Sequence, residues 1–198
     1  MADDLADVEI ALFVLAWCIA GSACAGVQMT VALVILAKAP LPGLAKTRLA
    51  RTIGNDAAAA VARQLLEHTL ATAQRSGLAA TLCGSPAEHP LLAELAAHAG
   101  LTLTAQVEGD LGMRLSDAIA QALQAHDAVL VIGSDCPGLT VQHLQAAADE
   151  LERHDAVFHP ALDGGYTLIG VRQNPAGLFQ RMPWSTCEVM PETLRRMS

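Results

Sequence analysis

Aromatic side chains are the scarcest component of this 198-residue chain, with two Trp, one Tyr and three Phe. A protein that stacks bases on aromatic platforms needs more of them, and it also needs a basic face. Acids outnumber bases here and the formal net charge is −8, so both features argue against a nucleic-acid partner. Cysteine is sparse and scattered: Cys18, Cys24, Cys83, Cys136 and Cys187 form no CxxC pair, and their number is odd. That speaks against a disulfide framework or a structural zinc site, and fits a reduced, cytoplasmic chain. Repeats and low-complexity linkers are missing as well. The length suits one well-buried domain better than two.

Charge is also missing from one long stretch. After the acidic "MADDLADVE", no charged residue occurs from Ile10 to Ala37. Within it, "IALFVLAWCIAGSACAGV" (10–27) lies at the short edge of a membrane span. A secretory signal would begin with positive charge, and this segment has none. Two readings stand beside each other. Residues 1–28 are an upstream extension of a chain whose natural start is Met29, or residues 10–27 form a hydrophobic helix on the surface or in a membrane, which in the second case would make the protein membrane-associated. Asp3, Asp4, Asp7 and Glu9 all lie in this leader, so half of the excess negative charge belongs to it.

Beyond Thr30, what the sequence does contain is alternation of strand and helix. "VALVILA" (31–37) is β-branched and wholly apolar, as a strand covered on both faces must be. The Pro/Gly-punctuated loop "KAPLPGLAKTR" follows. An alanine-rich helix is predicted from Asn55 or Asp56, either of which could cap it, to Arg75, with Gly77 as its stop. Further strands are read at 78–83, 101–106, 128–133, 155–161 and 166–171, and helices at 91–99, 113–125 and 140–153, the last capped by Thr140. A turn and a short helix end the chain. This order predicts an α/β domain with a mostly parallel sheet. Ligands of such sheets bind beyond the carboxyl ends of the strands, so the loops there are where chemistry is expected.

Five loops qualify. The first holds Lys38, Gly43, Lys46 and Arg48; its spacing is neither a P-loop nor GxGxxG, yet three cations on a Pro/Gly loop suit a diphosphate as well as they suit solvent. "EGDLGMRL" offers Glu108, Asp110 and Arg114, with Asp110 readable as a helix N-cap or as a ligand residue. "VIGSDCPGLT" puts Asp135 just past the fourth strand, where a carboxylate suits Mg²⁺ or Mn²⁺; Cys136 beside it is read as a small packed residue. "ALDGGYTLIG" places Asp163, Gly164 and Gly165 in a turn that is either a plain hairpin or a flat ligand seat. Trp184, Ser185 and Thr186 form a fifth loop that could face an acceptor. The histidines (His68, His89, His98, His126, His143, His154 and His159) show no metal spacing, and most are read as surface residues.

Taken in order, "LAKAPLPGLAKTRLA", "EGDLGMRLSDA", "VLVIGSDCPGLT", "PALDGGYTLIGV" and "MPWSTCEVMPETL" resemble the GT-A-type transferases called DUF2064, or radical-SAM/selenodomain-associated transferase 1, over Met29 to Ser198. The resemblance implies a three-layer α/β/α sandwich, the Rossmann-like GT-A fold of nucleotide-diphospho-sugar transferases. It also implies that Lys38, Lys46 and Arg48 contact the nucleotide, that Asp135 is the metal-binding acid, and that Asp163, Gly164 and Gly165 line the pocket. Two departures stand out: the leader 1–28 has no counterpart, and the acidic "DVDT"-like segment that follows the last helix in the family is not found before Ser198.

The implied function is a metal-dependent transferase taking a nucleotide or nucleotide-sugar donor and a small-molecule acceptor. Glycosyl transfer is the first reading. Guanylyltransferase-like nucleotidyl transfer to a small phosphorylated acceptor is the second, and a catalytically inactive nucleotide-binding protein the third. Asp135 and Asp163 are the catalytic candidates; Gly43, Asp110, Arg114, Gly164 and Gly165 join the cations on the nucleotide side.

Overall fold

The computed structural model describes residues 29–197; the leader, with Cys18 and Cys24, lies outside the described residues. Six strands form one sheet. They are β1 (Val31–Lys38), β2 (Ala79–Ser85), β3 (Thr102–Ala105), β4 (Ala128–Gly133), β5 (Ala156–Pro160) and β6 (Tyr166–Val171). Their order is β3-β2-β1-β4-β6-β5. Every pairing is parallel except those of β6, which runs antiparallel to both β4 and β5. The helices are α1 (Thr47–Ile53), α2 (Asn55–Ser76), α3 (Pro90–His98), α4 (Leu111–Ala122), α5 (Val141–Glu150) and α6 (Val189–Met197).

The apolar runs of β1 and β4 explain why these two strands sit at the centre. Alternate residues of each serve opposite cores. Leu33 and Ile35 of β1, with Leu130 and Ile132 of β4, meet Leu66 and Leu70 of α2, Leu92 of α3 and Leu144 of α5 on one face. Ala32 and Val34, with Val129 and Val131, meet Leu115 and Ile119 of α4 on the other. This is the three-layer α/β/α sandwich expected. At the amino edge, Asp127 Oδ2 accepts from both the backbone N–H (2.9 Å) and the hydroxyl (2.8 Å) of Thr30, fixing where β1 begins. Those hydrogen bonds to the charged form hold the Asp127 carboxyl below its ordinary range.

Three local expectations need correction. Neither Asn55 nor Asp56 caps α2: both lie inside it, and Gly54 is the N-cap, with no side-chain hydrogen bond. Glycine stands there because the extra helix α1 ends at the same residue. Helix α4 starts at Leu111, two residues earlier than predicted, because Asp110 caps it. Finally, His159 is no surface residue: it is 2% exposed in β5. Its Nδ1 lies 2.6 Å from Thr167 Oγ1 and its ring centroid 5.4 Å from that of His143 on α5.

All four aromatic residues of the described chain gather in one cluster. Phe158 meets Tyr166, Tyr166 meets Trp184 edge-on, and Trp184 stacks on Phe179, with centroids 5.6, 6.4 and 6.5 Å apart. A composition poor in aromatics thus concentrates them beneath the loops that follow β5 and precede α6. Phe158 and Phe179 are fully buried. Phe179→Ala is expected to cost about 3–5 kcal/mol, read from the midpoint of urea unfolding.

Burial, with the His143 ring beside it, pushes the His159 imidazole below its ordinary value of 6.5. Below that value the unfolded chain binds a proton that the folded chain refuses, so folding loses stability as pH falls through it. The loss ends once the folded-state imidazole itself titrates. Unfolding curves between pH 7.5 and 5 are expected to show this slope, and His159→Gln is expected to flatten it.

Candidate functional site

Strand order sets the place. From β1 the chain proceeds outward through β2 and β3, whereas β4 lies on the other flank of β1. The loops leaving the carboxyl ends of β1 and β4 therefore depart in opposite directions, the topology at which α/β sheets form their ligand crevice. Leu36 of β1 is in register with Gly133, the last residue of β4. Two residues further on is Asp135.

The β1 loop closes on itself through Leu41, whose carbonyl accepts from Leu44 and Ala45. Gly43 makes its turn with φ 78°. Lys46 is then forced into the left-handed region, with φ 50° and ψ 43°, as the N-cap of α1. Such a conformation is uncommon for a residue other than glycine. Here the Lys46 ammonium donates to Asp135 Oδ2 at 2.9 Å, across the crevice. The pair is 29% and 63% exposed, so it contributes no more than about 1 kcal/mol to stability. Lys38 is exposed at the end of β1, and Arg48 is exposed on the first turn of α1. Of the three predicted cations, the structure brings only Lys46 onto Asp135.

Asp135 has its freedom because it caps nothing. Thr140 caps α5: its hydroxyl accepts from His143 N–H (3.3 Å) while His143 Nδ1 accepts from Thr140 N–H (3.2 Å). Cys136 packs against the core beneath, as expected. Among the described residues, no three His, Cys, Asp or Glu side chains gather closely enough to hold a metal.

Asp163 shapes its own turn, Oδ1 accepting from Gly165 N–H at 3.0 Å. The hairpin between β5 and β6 follows, closed by Ala161 N–H to Gly165 O at 2.9 Å. Gly164 joins this turn to the start of α6: its carbonyl accepts from Met190 N–H at 2.8 Å. A side chain there would strike the backbone of Cys187, and the residue has φ 87°. Only glycine meets both demands. Ser185 and Thr186 are exposed nearby, with Thr186 Oγ1 donating to Pro183 O at 2.7 Å. Trp184 departs from the expectation of an acceptor-facing side chain: its ring is wedged between Tyr166 and Phe179. Tyr166 is no acid–base group at neutral pH, because burial pushes its phenol up to about 12.

The α4 loop resolves both readings of Asp110. It is an N-cap, its Oδ1 accepting from Met113 N–H at 2.9 Å. Arg114, one turn on, points back toward the sheet and donates from Nη1 to Gln106 Oε1 at 3.3 Å. Gln106 was not among the predicted site residues. Its Nε2 donates to Ala37 O (2.9 Å) and Cys83 O (2.8 Å), spanning the ends of β1 and β2. The sequence signal was faint: Gln106 continues the polar alternation of Thr102 and Thr104, which reads equally well as a solvated strand face. Arg196 of α6 was also missed. It donates to the carbonyls of Leu178 (2.8 Å) and Gln180 and pairs with Glu192 (2.6 Å), strapping the last helix to the loop after β6.

Residues 65–186 match the family described as uncharacterized protein conserved in bacteria, DUF2064. The chain belongs to the DUF2064 family. Among solved structures, this DUF2064 chain is similar to a candidate nucleotide-diphospho-sugar transferase from Desulfovibrio desulfuricans G20. The two are 31% identical over 86% of this chain and 76% of that one, with a TM-score of 0.77. It also shares the fold of a CMP:2-keto-3-deoxy-manno-octonic acid synthetase complexed with CTP, at 11% identity, over 85% and 84% of the two chains, with a TM-score of 0.50. No functionally curated protein matches it in sequence. Among the described residues, no helix is long and apolar enough to cross a membrane.

Gly164 offers a direct check on the assembly of this edge. Gly164→Ala is expected to destabilise the protein by about 2–4 kcal/mol, through left-handed strain and collision with Cys187. Urea unfolding would measure it. An unchanged midpoint would mean that the two loops do not meet as described.

Proposed function

We propose that this protein is a transferase acting on a nucleotide-activated donor, with glycosyl transfer from a nucleotide sugar to a small acceptor as its reaction. The observation that carries this reading is the Lys46–Asp135 pair across the β1–β4 crevice. It places a cation and an acid where sheets of this topology hold the phosphates of their ligands. The 31% identical relative, itself a candidate nucleotide-diphospho-sugar transferase, supports the choice of donor.

The residues fit a divalent cation in one specific sense. Asp135 is exposed and already holds a positive charge, the Lys46 ammonium, at 2.9 Å. Mg²⁺ and Mn²⁺ at such sites use one or two carboxylates and complete their shells with phosphate oxygens and water. Asp135 would hold the ion, with Lys46 displaced from it. The ion would supply neutralisation of the diphosphate that leaves with the nucleotide.

The protein's own groups do the rest. Lys46, released from Asp135, is in reach of the incoming phosphates, and Lys38 and Arg48 flank the same loop. These charges stabilise the leaving diphosphate as the bond to the transferred group breaks, which is an electrostatic rather than a covalent role. Asp163, Gly164 and Gly165 form a rigid turn whose backbone offers a flat wall to the donor. Ser185 and Thr186 stand on the acceptor side. Nucleotidyl transfer would draw on the same charges, with pyrophosphate leaving, and an inactive homologue would bind donor without turnover.

Titration calorimetry with UDP- and GDP-sugars and free nucleoside triphosphates, with and without Mn²⁺, tests the reading. Binding of at least one nucleotide sugar, strengthened tenfold or more by Mn²⁺, is expected. Asp135→Asn is expected to abolish the Mn²⁺ dependence while leaving the unfolding midpoint nearly unchanged, since the pair adds little stability. Unaltered Mn²⁺ dependence in that variant would remove Asp135 from the metal role. Binding of none of these nucleotides would sink the transferase reading.

A further inference from the structure

Gln106 occupies a position whose chemistry leaves little choice of orientation. One amide nitrogen faces two backbone carbonyls, Ala37 O at 2.9 Å and Cys83 O at 2.8 Å. A primary amide has two N–H donors, so this end is matched to both acceptors. Flipping the amide would set its oxygen against both carbonyls and its NH₂ against a guanidinium. The Oε1 end is thereby aimed at Arg114 Nη1, 3.3 Å away. The Gln106 backbone is fixed as well, its N–H donating to Gly84 O at 2.9 Å.

Arg114 is half-buried, and its Nε is enclosed without a hydrogen-bond partner. Among the described residues it makes no ion pair within 4 Å. A partly buried guanidinium lacking an anion is incomplete, because its desolvation is not offset by a counter-charge. Arginine's fork of donors matches the oxygens of a phosphate. Gln106 holds that fork at the carboxyl ends of β1 and β2, the edge from which the Lys46 loop also departs.

We propose that Gln106 is a positioning residue that presents the Arg114 guanidinium to the phosphates of the donor, as an anion-binding arm separate from Lys46. This rests on the nucleotide-donor reading given above. Lys46 is held by a carboxylate and reaches across the crevice, whereas Arg114 is held by a neutral amide and keeps its full charge for the ligand. Gln106 thereby ties the ends of three strands and helix α4 to a single binding group.

The test is a double-mutant cycle on the full chain. Isothermal titration would use UDP, CTP and inorganic pyrophosphate, each with Mn²⁺. Gln106→Leu and Arg114→Met are each expected to weaken the tightest of these probes tenfold or more. The double variant is expected to bind no more weakly than Arg114→Met alone, because Gln106 acts through Arg114. Additive losses would reduce Gln106 to a structural role and overturn the proposal. If Gln106→Leu fails to fold, Gln106→Glu keeps the length while neutralising Arg114 and opposing the two carbonyls. The same tenfold loss is expected from it, and wild-type affinity would overturn the proposal. Wild-type protein that binds none of the probes would overturn the nucleotide reading and this inference together. Wild-type protein that binds, with Gln106 variants that bind equally well, would overturn this inference alone.

Discussion

Everything at the carboxyl edge depends on β1 and β4 lying side by side, parallel and buried on both faces. Each strand divides its side chains between two cores, so neither can shift register by one residue without exchanging the two sets. That constraint fixes Gly133 opposite Leu36 and therefore fixes how far Asp135 stands beyond the sheet. The loops that leave these strands diverge because their next strands lie on opposite flanks. The crevice is a consequence of topology, and the Lys46–Asp135 pair spans it without having created it.

The remaining strands contribute in a different currency, through rigid loops. The four aromatic rings between β5, β6 and the segment before α6 form a floor on which the Gly164 turn and the Trp184 loop rest. Arg196 secures the far side by collecting carbonyls after β6 while Glu192 neutralises it. The two arginines beside Glu192 hold its carboxyl at about 2, so this strap stays charged at any pH where the protein is expected to work. The loops before α6 thus sit on a built support.

Much of this was legible from residues alone, for identifiable reasons. The six strands could be placed because apolar β-branched runs bounded by glycine, proline or polar turns leave few alternatives. Asp135 could be set opposite the cationic loop because ligands follow strand ends, and Thr140 explained the helix start without using Asp135. What escaped was whatever depends on tertiary partners. Helix α1 has no buried residue, so no hydrophobic period marks it. The burial of His159 depends on α5 packing over β5. Trp184 could be assigned to a loop, but only its contacts with Tyr166 and Phe179 reveal that it is structural. Gln106 carries no motif at all: its meaning comes from two carbonyls and an arginine brought together by three strands and a helix.

If the site binds a nucleotide-activated donor as proposed, Lys46 and Arg114 are two of the cations through which a net-negative protein would attract its phosphates. A formal charge of −8 gives the chain as a whole no attraction for an anion, so such binding would rest on local, oriented groups. Lys46 is paired with Asp135 until something displaces it. Arg114 is different: a neutral glutamine fixes its direction without cancelling its charge. A ligand that engages both must carry negative charge near Arg114 and positive charge near Asp135. A metal–diphosphate meets both requirements, whereas a bare carboxylate or a free cation meets only one. On the proposed reading, selectivity of this kind would follow from pairing one cation with an acid and the other with an amide.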